Sequence, residues 1–308
     1  MVQLFTMSLL SIFANSILPI FIMAGIGFWL ARFKHTDPKT VSAITFNVLS
    51  PSLIFYTLVT AKISMSDFRQ MAVFTFAVIG AAGAISWVAA RAMRLDRPET
   101  SAFLVVSMFG NAGNYGLPLV LFAFGVQAMT RATVYLVMHV ILLYSIGVAL
   151  ASGGNGGVRQ ALRSVVRVPH LYAIALAALV VLTNTTVPEA LLRPVGLLSS
   201  ATVPIMVLLM GMQLERTALP ERRLPVGVAT TIRLVVMPFV AFGAAALLGM
   251  TGADRQAAVI QASMPAAVMV SVLAIEYQTA PEFATAVVFL STVLSPITLT
   301  LLISALQH

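Results

Sequence analysis

Ten consecutive residues inside a long apolar run decide how this chain is read: Phe109-Gly110-Asn111-Ala112-Gly113-Asn114-Tyr115-Gly116-Leu117-Pro118. Three glycines, two asparagines and a proline are poor helix formers, yet the flanking residues are apolar enough to lie in hydrocarbon. Pro118 has no amide hydrogen, so the carbonyl of Asn114 loses its helical partner. In a bilayer such freed backbone groups are tolerated only where protein or a water-filled cavity covers them. The stretch therefore predicts a helix broken at mid-membrane, its second half starting near Asn114 to Leu117. The free N–H groups of that start, the positive end of its dipole and the asparagine amides make an anion site that needs no basic side chain. A glycine-lined packing face with a plain proline kink is the alternative, and burying two asparagines for packing alone would be costly.

Composition extends this reading to the whole chain. Of 308 residues only 9% are Asp, Glu, Lys or Arg, and 59% are hydrophobic; the mean hydropathy is +0.98. A soluble domain carries roughly 25% charged residues, so a soluble body, a coiled coil, a disordered chain and a nucleic-acid-binding domain are all excluded. Cysteine is absent, which removes disulfides, thiolate metal sites and cysteine nucleophiles. The N-terminus lacks the basic region of a cleaved signal peptide, so the first apolar run reads as a retained span.

A span takes about 20 residues. Ten apolar segments are expected, near 11–33, 40–60, 70–92, 99–124, 131–151, 169–187, 190–213, 224–249, 254–277 and 282–306. They are twice the length of a barrel strand, so the fold class is an all-α polytopic membrane protein. One set of alternate loops holds Arg32, Lys34, Lys39, Arg91, Arg94, Arg97, Arg159, Arg163, Arg167, Arg216, Arg222 and Arg223; the other holds only Lys62, Arg69, Arg131, Arg193 and Arg255. Twelve against five places the first set in the cytoplasm and both termini outside. The net charge of +8 is thereby a topology signal and gives no reason to expect a nucleic-acid partner.

The glycine-rich stretch Ser152–Gly157 divides the chain into 1–151, a short cytoplasmic linker 152–168, and 169–308. With five segments on each side, the second half must enter the membrane from the opposite face. A duplicated half would be an inverted repeat, the plan of many secondary transporters. Faint internal echoes agree: Ser107-Met108 with Ser263-Met264, Pro19 with Pro169, and Pro51 with Pro204. In the ninth segment Pro265 frees the carbonyl of Gln261 and is followed by small residues, so Met264 and Ala266 would flank a second break facing the first. A plain kink is the other reading of Pro265. Pro51 and Pro204 would bend the second and seventh segments, and Ser50 would either reach the cavity or bond to its own helix.

His139, with Tyr135 and Tyr144 nearby, lies mid-way along the fifth segment. It is a candidate for substrate binding or proton transfer, or else a satisfied core histidine. Arg233 lies well inside if the eighth segment starts at Leu224, and snorkels at the interface if it starts at Leu234. No phosphate loop, no GxSxG and no metal-ligand spacing occurs, so neither an enzyme nor a bound metal or cofactor is expected. The carboxylates Asp37, Asp67, Asp96, Asp254, Glu276 and Glu282 all fall at or near segment ends. A cation carrier normally needs one at mid-membrane, so an anionic substrate fits better.

At these residues the sequence resembles the auxin efflux carrier family. The motif Gly110–Pro118 carries the resemblance, with Leu49-Ser50-Pro51, Leu53-Ile54-Phe55, Pro204 leading to Gly211-Met212-Gln213-Leu214, and Ser291–Ser295 in support. The resemblance covers essentially the whole chain and points to a bacterial member. It implies ten helices in a five-plus-five inverted repeat with broken fourth and ninth helices and both termini outside the inner membrane. It also implies a scaffold of helices 1, 2, 6 and 7 carrying a mobile unit of the others, and a homodimer through that scaffold. Substrates in the family are organic anions, among them malonate and related carboxylates, moved by an elevator-like alternating access; coupling to H+ or Na+ stays open. The substrate would be held by Gly110, Asn111, Gly113, Asn114, Tyr115 and Gly116, with Met264 and Ala266 opposite and Ser50 and His139 nearby, and Pro118 and Pro265 would mark the breaks. The central loop is far shorter than in the plant members, which argues against phosphorylation control and against auxin itself. An ion-coupled symporter of a bulkier, bile-acid-like anion and an intramembrane hydrolase are the alternatives.

Overall fold

Prolines set the shape of this molecule more than any other residue type. The computed structural model describes residues 9–61, 64–152, 166–214 and 223–307, and every regular element among them is helical apart from one isolated backbone bridge. The helices are α1 (Leu9–Lys34), α2 (Pro38–Thr60), α3 (Met65–Ala92), α4 (Arg97–Met108), α5 (Ala112–Ala151), α6 (Pro169–Leu182), α7 (Glu189–Leu214), α8 (Arg223–Leu247), α9 (Gly252–Ala262), α10 (Val268–Glu276) and α11 (Pro281–Gln307). Seven of them, α1, α2, α3, α5, α7, α8 and α11, are long and apolar enough to cross a membrane, and α6 is a shorter apolar helix of 14 residues. In contrast α4, α9 and α10 have 12, 11 and 9 residues, about half of what a span requires.

The loop-side starts are capped by side chains, as the sequence suggests. Asp37 accepts from the amides of Lys39 and Thr40 ahead of α2, Ser64 accepts from Asp67 ahead of α3, and Asp96 with Glu99 forms a capping box on α4. Each satisfies amides that the first turn leaves without partners. Inside the membrane segments the prolines are handled differently. Four of the five π-helical turns among the described residues, Phe13–Ile17, Thr45–Leu49, Ala112–Gly116 and Ile232–Val236, end two residues before a proline: Pro19, Pro51, Pro118 and Pro238; the fifth, Leu143–Gly147, has none, and Pro204 and Pro296 lie inside plain α-helix. The residue ahead of the proline bonds five back, as in Leu18 to Phe13 and Leu117 to Ala112. One widened turn absorbs the missing donor without severing the helix.

This corrects the expected start of the second half-helix. Pro118 does not break the chain. The break lies earlier, at Phe109–Asn111, and α5 restarts at Ala112, two residues before the predicted range. From there α5 continues to Ala151 and bends only at Gly125 (φ 80°, ψ −172°), a backbone conformation that strains any residue with a Cβ. The expected fourth and fifth segments are thus α4 with the start of α5, then the rest of α5. The ninth is α9 with α10.

Two pairs of helices make a wall: α1 packs along α7, and α2 along α6. The α1–α7 contact is backbone against backbone. A methyl group added at Gly27 would strike the carbonyl of Leu208, and one at Gly211 would strike the carbonyl of Ala24. Small residues that admit such approach are how helices adhere in lipid, where no hydrophobic force separates helix from tail. Between α2 and α7, the Thr202 hydroxyl reaches the Leu49 carbonyl across the interface (2.9 Å). Against this wall stand α3, α4, α5 and α8 to α11, with α9 lying along α5. At one end Arg131 on α5 ties Asp67 of α3 (2.9 Å) to Asp254 of α9 (3.3 Å).

Lys62, Arg159, Arg163, Arg216 and Arg222 of the charge count, and most of the 152–168 linker, lie outside the described residues.

Gly211→Val must push α1 and α7 apart, because a backbone carbonyl cannot rotate away. A loss of roughly 1–3 kcal/mol is expected for such overpacking, read as a lowered melting temperature of the detergent-solubilised protein. Gly227→Ala, where a methyl meets nothing within 4 Å, is the matched control and leaves the melting temperature equal or higher.

Candidate functional site

The two chain breaks meet. Gly110 and Ala266 form an antiparallel bridge. The Asn111 amide donates to the Pro265 carbonyl (2.7 Å), and the Ala267 amide donates to the Phe109 carbonyl (3.0 Å). The Ala266 amide donates to the hydroxyl of Ser291 on α11 (3.1 Å). Interrupted helices thus satisfy each other's backbone far from water.

On one side of this crossing lie the C-terminal ends of α4 and α9, and between them sits Arg233 of α8. Its side chain is 2% exposed. Its Nε donates to the Met264 carbonyl (3.0 Å), one terminal nitrogen to the Ser107 carbonyl (3.2 Å), and the other to the carbonyls of Ala262 (3.1 Å) and Met264. The sequence left the depth of Arg233 open; it is fully interior. A guanidinium buried without a carboxylate is costly, and two helix C-termini of about −0.5 charge each offset it. Gly110 follows from this, since a methyl there would strike the guanidinium.

On the other side the N-terminal ends of α5 and α10 open onto a cavity of about 110 Å³, lined there by Ala112, Gly113 and Asn114, and by Ala267, Val268 and Met269. First-turn amides, which lack intrahelical partners, and the positive dipole ends give this space an anion-attracting character. Asn111, 5% exposed, lines the cavity, and its side-chain amide nitrogen has no partner among the described residues. His139 of α5 lines it with an unpartnered Nε2, its ring stacked on Tyr135 (5.9 Å, 27°) and edge-on to Phe109 (5.5 Å, 79°). From the wall come Ser50 and Phe46 of α2, His170 of α6 and Gln213 of α7. The Ser50 hydroxyl pairs with His170 Nε2 at 2.8 Å and so reaches the cavity wall instead of its own helix. Apolar Leu136, Val140, Leu143, Met206 and Leu209, with Ser42, Thr45 and Tyr144, complete it.

Of the expected residues, Gly110, Asn111, Gly113, Asn114, Ser50 and His139 come together on this cavity. Four do not line it. Tyr115 is fully buried, its hydroxyl 3.3 Å from that of Ser295 and its ring edge-on to Phe21. Gly116 leaves room for the Gln261 side chain, Met264 gives its carbonyl to Arg233, and Ala266 belongs to the bridge. Pro118 and Pro51 lie just past π turns, Pro204 lies within α7 and Pro265 lies in the break itself. His170 and Gln213 join the site without having been singled out in it. A histidine one residue inside an apolar run is a usable signal, though its nearness to the segment start hides it.

A larger hollow of about 530 Å³ adjoins the cavity, sharing Ser42, Phe46, Tyr144 and Gln213, and runs toward Pro38 and Lys39. A separate hollow of about 390 Å³ lies at the opposite depth, among Thr57, Thr60, Val126 and Thr130. On α2 the divide between cavity and this hollow falls between Ser50 and Leu53, and on α7 at Met206–Val207.

The family described as Membrane transport protein matches residues 12–161 and 157–303. An uncharacterized transporter of Methanothermobacter thermautotrophicus is 29% identical over 276 residues, covering 88% of this chain and 90% of that protein. An uncharacterized transporter of Methanocaldococcus jannaschii is 25% identical over 290 residues, covering 91% and 94%. Both relatives are archaeal, where the sequence resemblance pointed to bacterial ones. With the family matched over nearly its whole length, and helices fit to cross a membrane seven times, the chain belongs to the Membrane transport protein family of auxin efflux carriers and is a multi-pass membrane transporter.

Proposed function

We propose that this transporter is a secondary carrier for a small organic anion, a carboxylate, bound at the helix crossing. The observation that carries this is the cavity lined by two helix N-termini and by Asn111, whose side-chain amide has no partner among the described residues. Magnitudes favour an anion. Arg233 offsets the two C-terminal half-charges on its side, while the two N-terminal ends, about +0.5 each, are offset by no acidic side chain lining the cavity. One carboxylate group of the substrate matches that remainder.

The chain is read as ten segments in two inverted halves. The α1–α7 and α2–α6 pairings exchange under such a repeat, the α4–α5 break meets the α9–α10 break, and the two family matches join at the glycine-rich linker. The wall of α1, α2, α6 and α7 is the scaffold and the remaining helices are the moving unit, which alternates access by an elevator-like shift. Two hollows at opposite depths of the α2–α7 wall fit this reading. The hollow reaching Lys39 lies on the Lys- and Arg-rich side, so the described state faces the cytoplasm, with both termini outside the cell membrane. A dimer would form through the scaffold.

The two alternatives each meet an obstacle. A sodium-coupled symporter would use carbonyl oxygens at the crossing for its ion, and here Arg233 holds those of Ser107, Ala262 and Met264. A hydrolase would use a serine and histidine such as Ser50 and His170, but the Nδ1 of His170 has no orienting partner.

In proteoliposomes, uptake of labelled malonate or succinate is expected to saturate, to fall at least about tenfold in Asn111→Ala, and to proceed without Na+. Uptake unchanged by Asn111→Ala would remove the site. Hydrolytic turnover in detergent would favour the enzyme. Gly110→Ala should abolish uptake and lower the melting temperature together, since the added methyl displaces Arg233. Because the chain has no cysteine, Lys39→Cys and Arg255→Cys report orientation directly: an impermeant thiol reagent added to whole cells should label Arg255→Cys only.

A further inference from the structure

His170 is buried (3% exposed) on α6, in the wall opposite the crossing unit. The Phe46 ring lies 4.8 Å away at 55°, and Ser50 holds Nε2 at 2.8 Å. The Ser50 hydroxyl carries one proton, and His170 is its partner. If it donates to Nε2, the imidazole proton must sit on Nδ1 and one group stays unpaired; the reverse arrangement would leave two buried groups unpaired, the hydroxyl proton and the Nδ1 lone pair. So Nδ1 is a donor, and no protein acceptor meets it. Among the residues lining the cavity, two such donors thus sit on different walls, the Asn111 side-chain amide at the crossing and the His170 ring on α6, alongside the unpartnered His139 Nε2 and Gln213 Oε1 and apolar Leu136, Met206 and Leu209.

We propose that His170, oriented by Ser50, is the specificity-determining residue for the far end of the substrate: it donates to a second oxygen acceptor, so the preferred ligand is a short carboxylate with an oxygen-bearing group at its other end. This rests on the reading of the crossing as an anion site. A ligand held at both ends ties the moving unit to the scaffold and must release His170 before the unit shifts. A one-ended carboxylate gains nothing from the α6 wall and leaves Nδ1 without a partner.

Succinate and butyrate have the same four-carbon length and differ at one end, which makes them the probes. Their affinities are measured by calorimetry on the purified full chain, with melting temperature as a check on folding. Wild type should prefer succinate by at least about tenfold. Asparagine can place its amide near the imidazole Nδ1, whereas glutamine reaches toward Nε2. His170→Asn should therefore keep much of the preference, and His170→Gln and His170→Phe should reduce the ratio of succinate to butyrate affinity to near unity. Asn111→Ala should weaken both probes. Equal binding of the two probes by wild type, or a preference that survives in His170→Gln and His170→Phe, overturns the role of His170 while leaving the crossing site intact. Loss of neither probe in Asn111→Ala overturns the crossing site and this inference with it.

Discussion

Everything in this protein is arranged around backbone groups that water cannot reach. A helix interrupted in hydrocarbon exposes amides on one stump and carbonyls on the other, each costing several kcal/mol if left alone. Two interruptions placed face to face cancel part of that cost through the Asn111–Pro265 and Ala267–Phe109 hydrogen bonds. Ser291 takes the Ala266 amide, and Arg233 takes the carbonyls of Ser107, Ala262 and Met264. What the bridge and Arg233 leave over is one side of the crossing, where helix N-termini look into a cavity. The proposed binding chemistry is the part of the backbone that the fold does not satisfy.

That arrangement explains residue choices that would otherwise look unrelated. Gly110 has no side chain because the guanidinium needs the space, and Gly116 leaves room for the Gln261 amide. Gly27 and Gly211 bring α1 and α7 into backbone contact, and Thr202 ties α7 to α2 through a carbonyl beside the proline-widened turn. In the proposed mechanism, where the other half shifts, a stiff wall is useful, because interfaces with discrete packings switch where soft ones would merely deform.

Much of this is legible in the residues themselves. The scarcity of charge places the chain in a membrane, and Gly110–Pro118 locates the crossing, because few sequences of that composition survive in hydrocarbon without a cavity. The site's content is less legible. Pro118 signals a break but sits six residues beyond Ala112, where the helix restarts, since a π turn can absorb a proline and sequence periodicity does not show which prolines are absorbed. Tyr115 and Met264 belong to the motifs, yet one faces the core and the other gives its carbonyl to Arg233. A broken helix loses the regular period from which facing could be read.

By itself the sequence determined the solvent, the helical class and the stretch that holds the first break, all of which follow from local composition and from hydrocarbon's intolerance of unpaired polar groups. Only the tertiary structure decided where Arg233 and His170 find their partners. Arg233 lies 126 residues from Ser107, and His170 lies 120 residues from Ser50. Whether a buried guanidinium finds helix ends, or a histidine finds a hydroxyl, depends on which distant helices are packed together. That packing is a property of the assembled bundle, and no single segment carries it.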